Sequence, residues 1–331
     1  MTGSGVPDVA IMAHTLLLEG AWEAIRAAGA TPVLWTSTGG LHLLAPWARA
    51  NALMGDSALA WAAIRRFLPQ GAATPPGETF FATTVALQRV AVEMALAAGT
   101  LPSAEEWLLV HDRWLDWSAA VLWRSEGQAL WGCYHHAAGD LIRARWHAKN
   151  ALDHASEPRQ PLALLAARRL LGELDTAEGR HDDADAHLAA ALVLAEACAT
   201  PYERALTLLS LAELCVAVGD PAGGRAHLVT ARTILLPLDA RSALARADAL
   251  AGRLDDGRAP TSDALARPDG LSRREVEVLG LLAAGRSNHA IAAALFLSPG
   301  TVQRHIANAC LKIGAHNRAE ATAYALRHRL A

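Results

Sequence analysis

Two stretches of this chain, forty residues apart, share a pattern: Leu170-Leu-Gly-Glu-Leu-Asp-Thr-Ala-Glu-Gly179 and Ser210-Leu-Ala-Glu-Leu-Cys-Val-Ala-Val-Gly219. A second matching segment follows each, with Ala184 and Gly224, His187-Leu188 and His227-Leu228, and Ala191 and Ala231 in register. One period upstream, Gly132, Ala137, Gly139, Ala144, His147 and Ala151 fall at corresponding places, and fainter copies begin near Gly99, Gly55 and Gly20. A period of this length marks a supersecondary unit that buries its apolar face only by stacking on its neighbours. Gly179 and Gly219 suit the end of a first helix, where a left-handed residue closes the last turn. Small residues about five positions later let a second helix approach closely. The period predicts an α-solenoid of about five or six helical hairpins.

Composition agrees. The 331 residues are 52% hydrophobic, and alanine and leucine dominate while β-branched residues are sparse, which favours an all-α chain. Periodicity holds over 1–251 and breaks over 252–270, GRLDDGRAPTSDALARPDG, which reads as a linker. A separate domain follows over 271–331. There, eight Lys or Arg face three acids, a net +5 against −8 for the rest. A basic module on an acidic body suits a polyanionic partner. Cys133, Cys198, Cys215 and Cys310 have no paired spacing and read as isolated thiols of a reducing compartment. With no basic leader and no apolar run of about 18–20 residues, a cytoplasmic chain without membrane association is expected.

Helix-start signals organise the last sixty residues. Ser272 with Glu275 forms a capping box, and Val276, Leu279, Leu282 and Ala283 follow as an inward stripe. Gly285 ends that helix. Ser287 or Asn288 opens a second, with Ile291, Ala292 and Leu295 inward. Ser298 caps a third with Pro299 at its first position, and Val302, Ile306, Ala309, Cys310 and Ile313 form its inner face. Asn317 with Glu320 repeats the capping logic for a fourth helix. The outward stripe of the third helix carries Gln303, Arg304, Ala307, Asn308 and Leu311. Gln and Arg match adenine and guanine edges, and a small alanine admits a thymine methyl. Thr301, Asn308 and Lys312 are placed for phosphates, as are the amides beginning at Ser298. His305 falls between the faces and is assigned to packing and a phosphate contact.

These residues resemble the LuxR-type (NarL/GerE) four-helix DNA-binding domain over 271–330. The landmarks are L-S-x-R-E-x-E-V-L, G-x-S-N-x-x-I-A-x-x-L-x-x-S, T-V-x-x-H, K-I-G and N-R-A-E-A. Sigma-factor region-4 modules share some phrases, but Thr301-Val302 with His305 and the fourth-helix motif favour the LuxR type. The resemblance implies a helix-turn-helix at 288–307, double-stranded DNA as partner, and a homodimer paired through the last helix at Ala321, Tyr324 and Ala325. Two positions depart from the pattern. Ala290 stands where an acid usually completes the second capping box, and Gln303 and Ala307 stand where many relatives carry basic groups. The body is similar to tetratricopeptide repeats, and closer to the helical superhelix of large maltose-regulator-type LuxR-family proteins.

Other functions find little support. Lys149 and Lys312 are the only lysines and neither lies in a P-loop; a receiver domain and a lactone-sensing sheet would need strands. His181-Asp-Asp-Ala-Asp-Ala-His187 reads as a helix start rather than a metal site, and His135-His136 point to different faces. No catalytic grouping or cofactor motif emerges, so an enzyme is not expected. All ten tryptophans precede residue 147. They read either as bulky fillers between Ala-rich helices or, for Trp107, Trp114 and Trp117, as a groove for a ligand or peptide. The expectation is a transcriptional regulator whose solenoid takes a small-molecule or protein effector. The alternative is a helical interaction scaffold, an anti-activator with weak DNA contact.

Overall fold

The computed structural model describes residues 8–30, 38–255, 273–295, 299–315, 317–328 and 330. The chain divides into two units, Met1–Gly257 and Arg258–Ala331. Among the described residues every regular element is a helix, and none is long and apolar enough to cross a membrane.

The larger unit opens with α1 (Asp8–Ile11), α2 (Ala13–Glu19), α3 (Trp22–Gly29), α4 (Thr38–Leu53) and α5 (Ser57–Phe67). It continues as α6 (Phe81–Ala97), α7 (Leu101–Ser118), α8 (Arg124–Ala137), α9 (Leu141–Ser156) and α10 (Pro161–Ala177). Then come α11 (His181–Ala197), α12 (Pro201–Val218), α13 (Pro221–Leu235) and α14 (Arg241–Asp255). Consecutive helices pair as antiparallel hairpins, α6 with α7 through α12 with α13. The period is visible in the joints. Gly99, Gly139, Gly179 and Gly219 follow helix ends at forty-residue intervals with φ of +69°, +77°, +75° and +77°. Pro161, Pro201 and Pro221 open helices where a missing N–H costs nothing. Asp140 and Asp220 cap α9 and α13, accepting from the amides of Arg143 (3.1 Å) and Gly223 (2.9 Å). Between them, Arg180 reaches back instead and donates to the buried Asp175 at 2.7 Å, which also accepts from Arg145 at 2.7 Å.

A simple stack lets each hairpin touch only its neighbours. This one does more. Trp22, Ile25, Leu43 and Met54 from the first helices share one core with Leu208, Leu228 and Leu250 from the last. The Trp22 and Tyr202 rings meet edge-on at 5.1 Å. Gly20 lies so close to α13's exit that a Cβ there would sit 2.5 Å from Leu238 Cδ2. Arg49 of α4 pairs with Glu93 at 3.2 Å and lies 4.0 Å from Glu203. The ion pairs run on from there: Glu203 holds Arg169 at 2.7 Å, and Arg246 holds Glu173 at 3.1 Å and Glu213 at 3.0 Å. Burial alone would raise the Glu173 carboxyl, but Arg246 and Arg169 outweigh it and hold the group below its ordinary range.

Two expectations are corrected. Residues 252–255 belong to α14 and not to the linker, because Leu250 and Leu254 carry the buried stripe across Gly252 and the Arg225 guanidinium caps the Leu254 carbonyl at 2.7 Å. Trp107, Trp114 and Trp117 line no common groove. Trp107 is buried against Leu108 and Trp131; Trp114 is fully buried beside Val85 and Leu115 and donates to the Thr74 carbonyl at 3.3 Å. Trp117 is 58% exposed and lies over Gly77. The Trp117 ring meets the Trp114 ring edge-on at 6.3 Å, so the exposed ring covers the buried one, while Trp107 lies beside Trp61 at 6.4 Å.

The smaller unit holds α15 (Arg273–Ala283), α16 (Asn288–Leu295), α17 (Pro299–Ile313) and α18 (Arg318–Arg327). One core joins them: Val278, Leu279, Leu282, Ile291, Ala292, Val302, Ala309, Ala321, Tyr324 and Ala325.

Candidate nucleic-acid interface

The site is built from the turn between α15 and α16 upward. Gly285, at φ +74°, ends α15, and the Arg286 amide folds back to the Leu281 carbonyl at 3.1 Å. Ser287 then caps α16. Its hydroxyl accepts from the Ala290 amide at 3.2 Å, and its carbonyl accepts from the Ile291 amide at 2.9 Å. Ala290 has no side chain to reach back, so the reciprocal half of the box is absent. Ile291 and Ala292 then bury the inner side of α16, which packs across α17.

On α17 the inner face is settled by Val302 and Ala309, both fully buried, with Ile306, Cys310 and Ile313 packed against the same core. Gln303 and Ala307, four apart, are exposed, and so is Lys312 in the last turn; His305 is half-buried between the faces. Thr301, Arg304 and Asn308 belong to this helix, but their side chains lie outside the described residues, as do Ser298 and the Ser272–Glu275 capping box. An exposed helix held on a three-helix base is able to enter a major groove. Burial raises the Cys310 thiol, and Glu320 adds to the shift, so the group stays protonated beneath the interface.

The fourth helix is capped by Asn317: its carboxamide oxygen accepts from the Glu320 amide at 2.9 Å, and its Nδ2 donates to Glu320 Oε1 at 2.7 Å. Next to it, Arg318 does what the sequence alone did not reveal. Its guanidinium donates to Asn288 Oδ1 at 2.8 Å and to the Arg286 carbonyl at 2.6 Å, tying the start of α18 to the start of α16. The partners are 30 and 32 residues away, and only the fold joins them.

The expected pairing residues are corrected. Ala321, Tyr324 and Ala325 are buried within their own unit, at 0%, 5% and 0% exposure, where they pack α18 onto α15. They form an i, i+3, i+4 stripe, which is the core stripe of any helix on a base. The outward stripe is Ala319, Ala323 and Leu326, with Leu326 56% exposed. On the body, His187 sits 3.5 Å from Arg168 and 3.9 Å from Asp175, and the Trp131, His135 and His147 rings cluster with centroids 5.1–5.8 Å apart. Among the described residues no group of three His, Cys, Asp or Glu is placed to hold a metal ion.

Comparison with known proteins bears on the same unit. Residues 269–325 match the family model described as "Bacterial regulatory proteins, luxR family". The "Probable transcriptional regulatory protein NarL" of Mycobacterium tuberculosis is 42% identical over 81 residues, which is 24% of this chain and 35% of the relative. The "Response regulator protein VraR" of Staphylococcus aureus is 40% identical over 60 residues, 18% of this chain and 29% of its own. The "Uncharacterized transcriptional regulatory protein YhcZ" of Bacillus subtilis is 43% identical over 60 residues, 18% and 28%. The chain thus spans about a third of the length of the curated relatives it matches.

Proposed function

From a C-terminal unit that is a luxR-family helix-turn-helix domain, we infer that this chain is a DNA-binding transcription regulator. The observation that carries the reading is α17: its inner face is buried in the unit's core while Gln303 and Ala307 stand open on the other side. In this reading α17 enters the major groove. Gln303 and Arg304 read base edges, Ala307 allows close approach, and Ser298, Thr301, Asn308 and Lys312 hold phosphates with His305 at the margin. Two copies bind an inverted repeat whose half-sites lie about one helical turn apart. The outward stripe of α18, Ala319, Ala323 and Leu326, supports the pairing of those copies. The helical body senses a small molecule or protein and sets whether two modules align.

Gel-shift titration of the full chain on duplexes from its own upstream region tests this. One fragment should bind well above a random duplex at moderate salt, and Arg304→Ala should remove about 1–3 kcal/mol of that preference. Equal affinity for every duplex, or no loss with Arg304→Ala, would overturn the reading. A second reading takes support from Gln303 and Ala307, which bring no charge to the centre of the face. In it the body is an interaction scaffold, and a stoichiometric protein partner without any genomic footprint would favour it.

A further inference from the structure

Successive repeats leave a groove on the body where the end of one hairpin meets the next. Between α12 and the hairpins on either side it is small, about 330 Å³, with Glu196, Ala199, Arg204 and Ile234 among its walls. One repeat earlier it is about 590 Å³, and Ser156, Arg159, Leu164 and Leu194 occupy the corresponding places forty residues before. The solenoid period makes both grooves, and they differ in side chains and in the linking turn, since α9 stops at Ser156 where α11 runs on to Ala197. In the later groove Arg204 is neutralised by Glu196 at 3.4 Å. In the earlier one a serine replaces that acid. Arg159 and Arg168 stand at its edge, and among the described residues neither has a carboxylate within 4.0 Å. The polar neighbour of Arg168 is the His187 ring at 3.5 Å. Several other arginines of this acidic unit are paired with acids, among them Arg26, Arg145, Arg169 and Arg246. The floor is apolar, and Val193 in it is 66% exposed, a large aliphatic group left against water.

We propose that this groove binds a small amphipathic carboxylate, its anionic head on Arg159 and Arg168 and its hydrocarbon over Leu164, Val193 and Leu194. The volume is within the range of small-molecule sites, about 300–1,000 Å³, which combine apolar walls with a few placed polar groups. Guanidinium groups hold carboxylates through paired N–H donors, and an apolar anion offsets both the unpaired charge and the exposed floor. A neutral hydrocarbon would satisfy only the floor, and a small hydrophilic anion only the rim. What such binding regulates rests on the sensory role given to the body above; the binding itself does not.

Calorimetric titration of the full chain with decanoate tests the site without DNA, so its outcome is separate from that of the gel shift. Decanoate should bind saturably, one per chain, and decanol about tenfold more weakly or less. Arg159→Met combined with Arg168→Met should weaken decanoate about tenfold, while Arg204→Met in the later groove should leave it unchanged. If the double variant fails to fold by circular dichroism, Ser156→Glu, which installs the later groove's acid, should abolish binding in its place. Decanol binding as tightly as decanoate, decanoate binding indifferent to these substitutions, or displacement of decanoate by a glutamate-rich peptide at equal charge would each overturn the proposal.

Discussion

Arg318 shows how one side chain links two surfaces. Its two donors end on groups that begin α16, the Asn288 carboxamide and the Arg286 carbonyl, while its backbone begins α18. Any tilt of α18 therefore reaches the start of the helix-turn-helix through two hydrogen bonds. At the surface such bonds contribute about 0.5–1.5 kcal/mol each. Arg318→Met should lower the stability of the unit by about 1–2 kcal/mol and weaken DNA binding. The salt dependence separates positioning from phosphate contact. If Arg318 only positions α16, the slope of log affinity against log salt stays the same; loss of a phosphate contact would reduce its magnitude by about 0.9. The motif around Arg318 was legible in the sequence as part of a family landmark. Its role was not, because the hydrogen-bond partners are thirty residues away and only packing of α15 against α18 brings them within reach.

Helix ends were the most readable elements, because caps are local chemistry. Asn317 with Glu320 and Ser287 before α16 could be read from side-chain type and a spacing of three, and the hydrogen bonds form where that spacing puts them. Helix faces were harder. On α18 the apolar stripe Ala321, Tyr324 and Ala325 had two places to go, a partner copy or its own core, and periodicity alone does not choose between them. Burial against α15 chose the core. The incomplete cap of α16 yields a direct expectation. Ala290 is half-buried three residues after Ser287, where a longer polar side chain can return to the Ser287 amide. Ala290→Gln should stabilise the smaller unit by about 0.5–1 kcal/mol without adding charge near DNA, read as a rise in the denaturation midpoint of that unit. No change would mean that the Ser287 amide is already satisfied.

At the scale of the body, the forty-residue period determines how hairpins stack but not where the stack ends. Terminal repeats of a solenoid expose one apolar side and need a cap. Here the first helices supply it for the last: Trp22, at 1% exposure, packs with Tyr202 and shares a core with Leu228, Leu235 and Leu250. The sequence hid this because α2 and α3 lie some two hundred residues from those partners and carry the repeat only faintly. The arrangement changes how the body should fail. In a stack of nearest neighbours, damage at one end leaves the other end intact. In a body joined end to end, Trp22→Ala should cost about 3–5 kcal/mol, the range for emptying a buried aromatic site. It should also lower amide-exchange protection across 205–254 as well as around α3, while α8 and α9 in between change less. Protection lost only before residue 67 would show that the two ends are energetically separate, and the body would then be an ordinary open array.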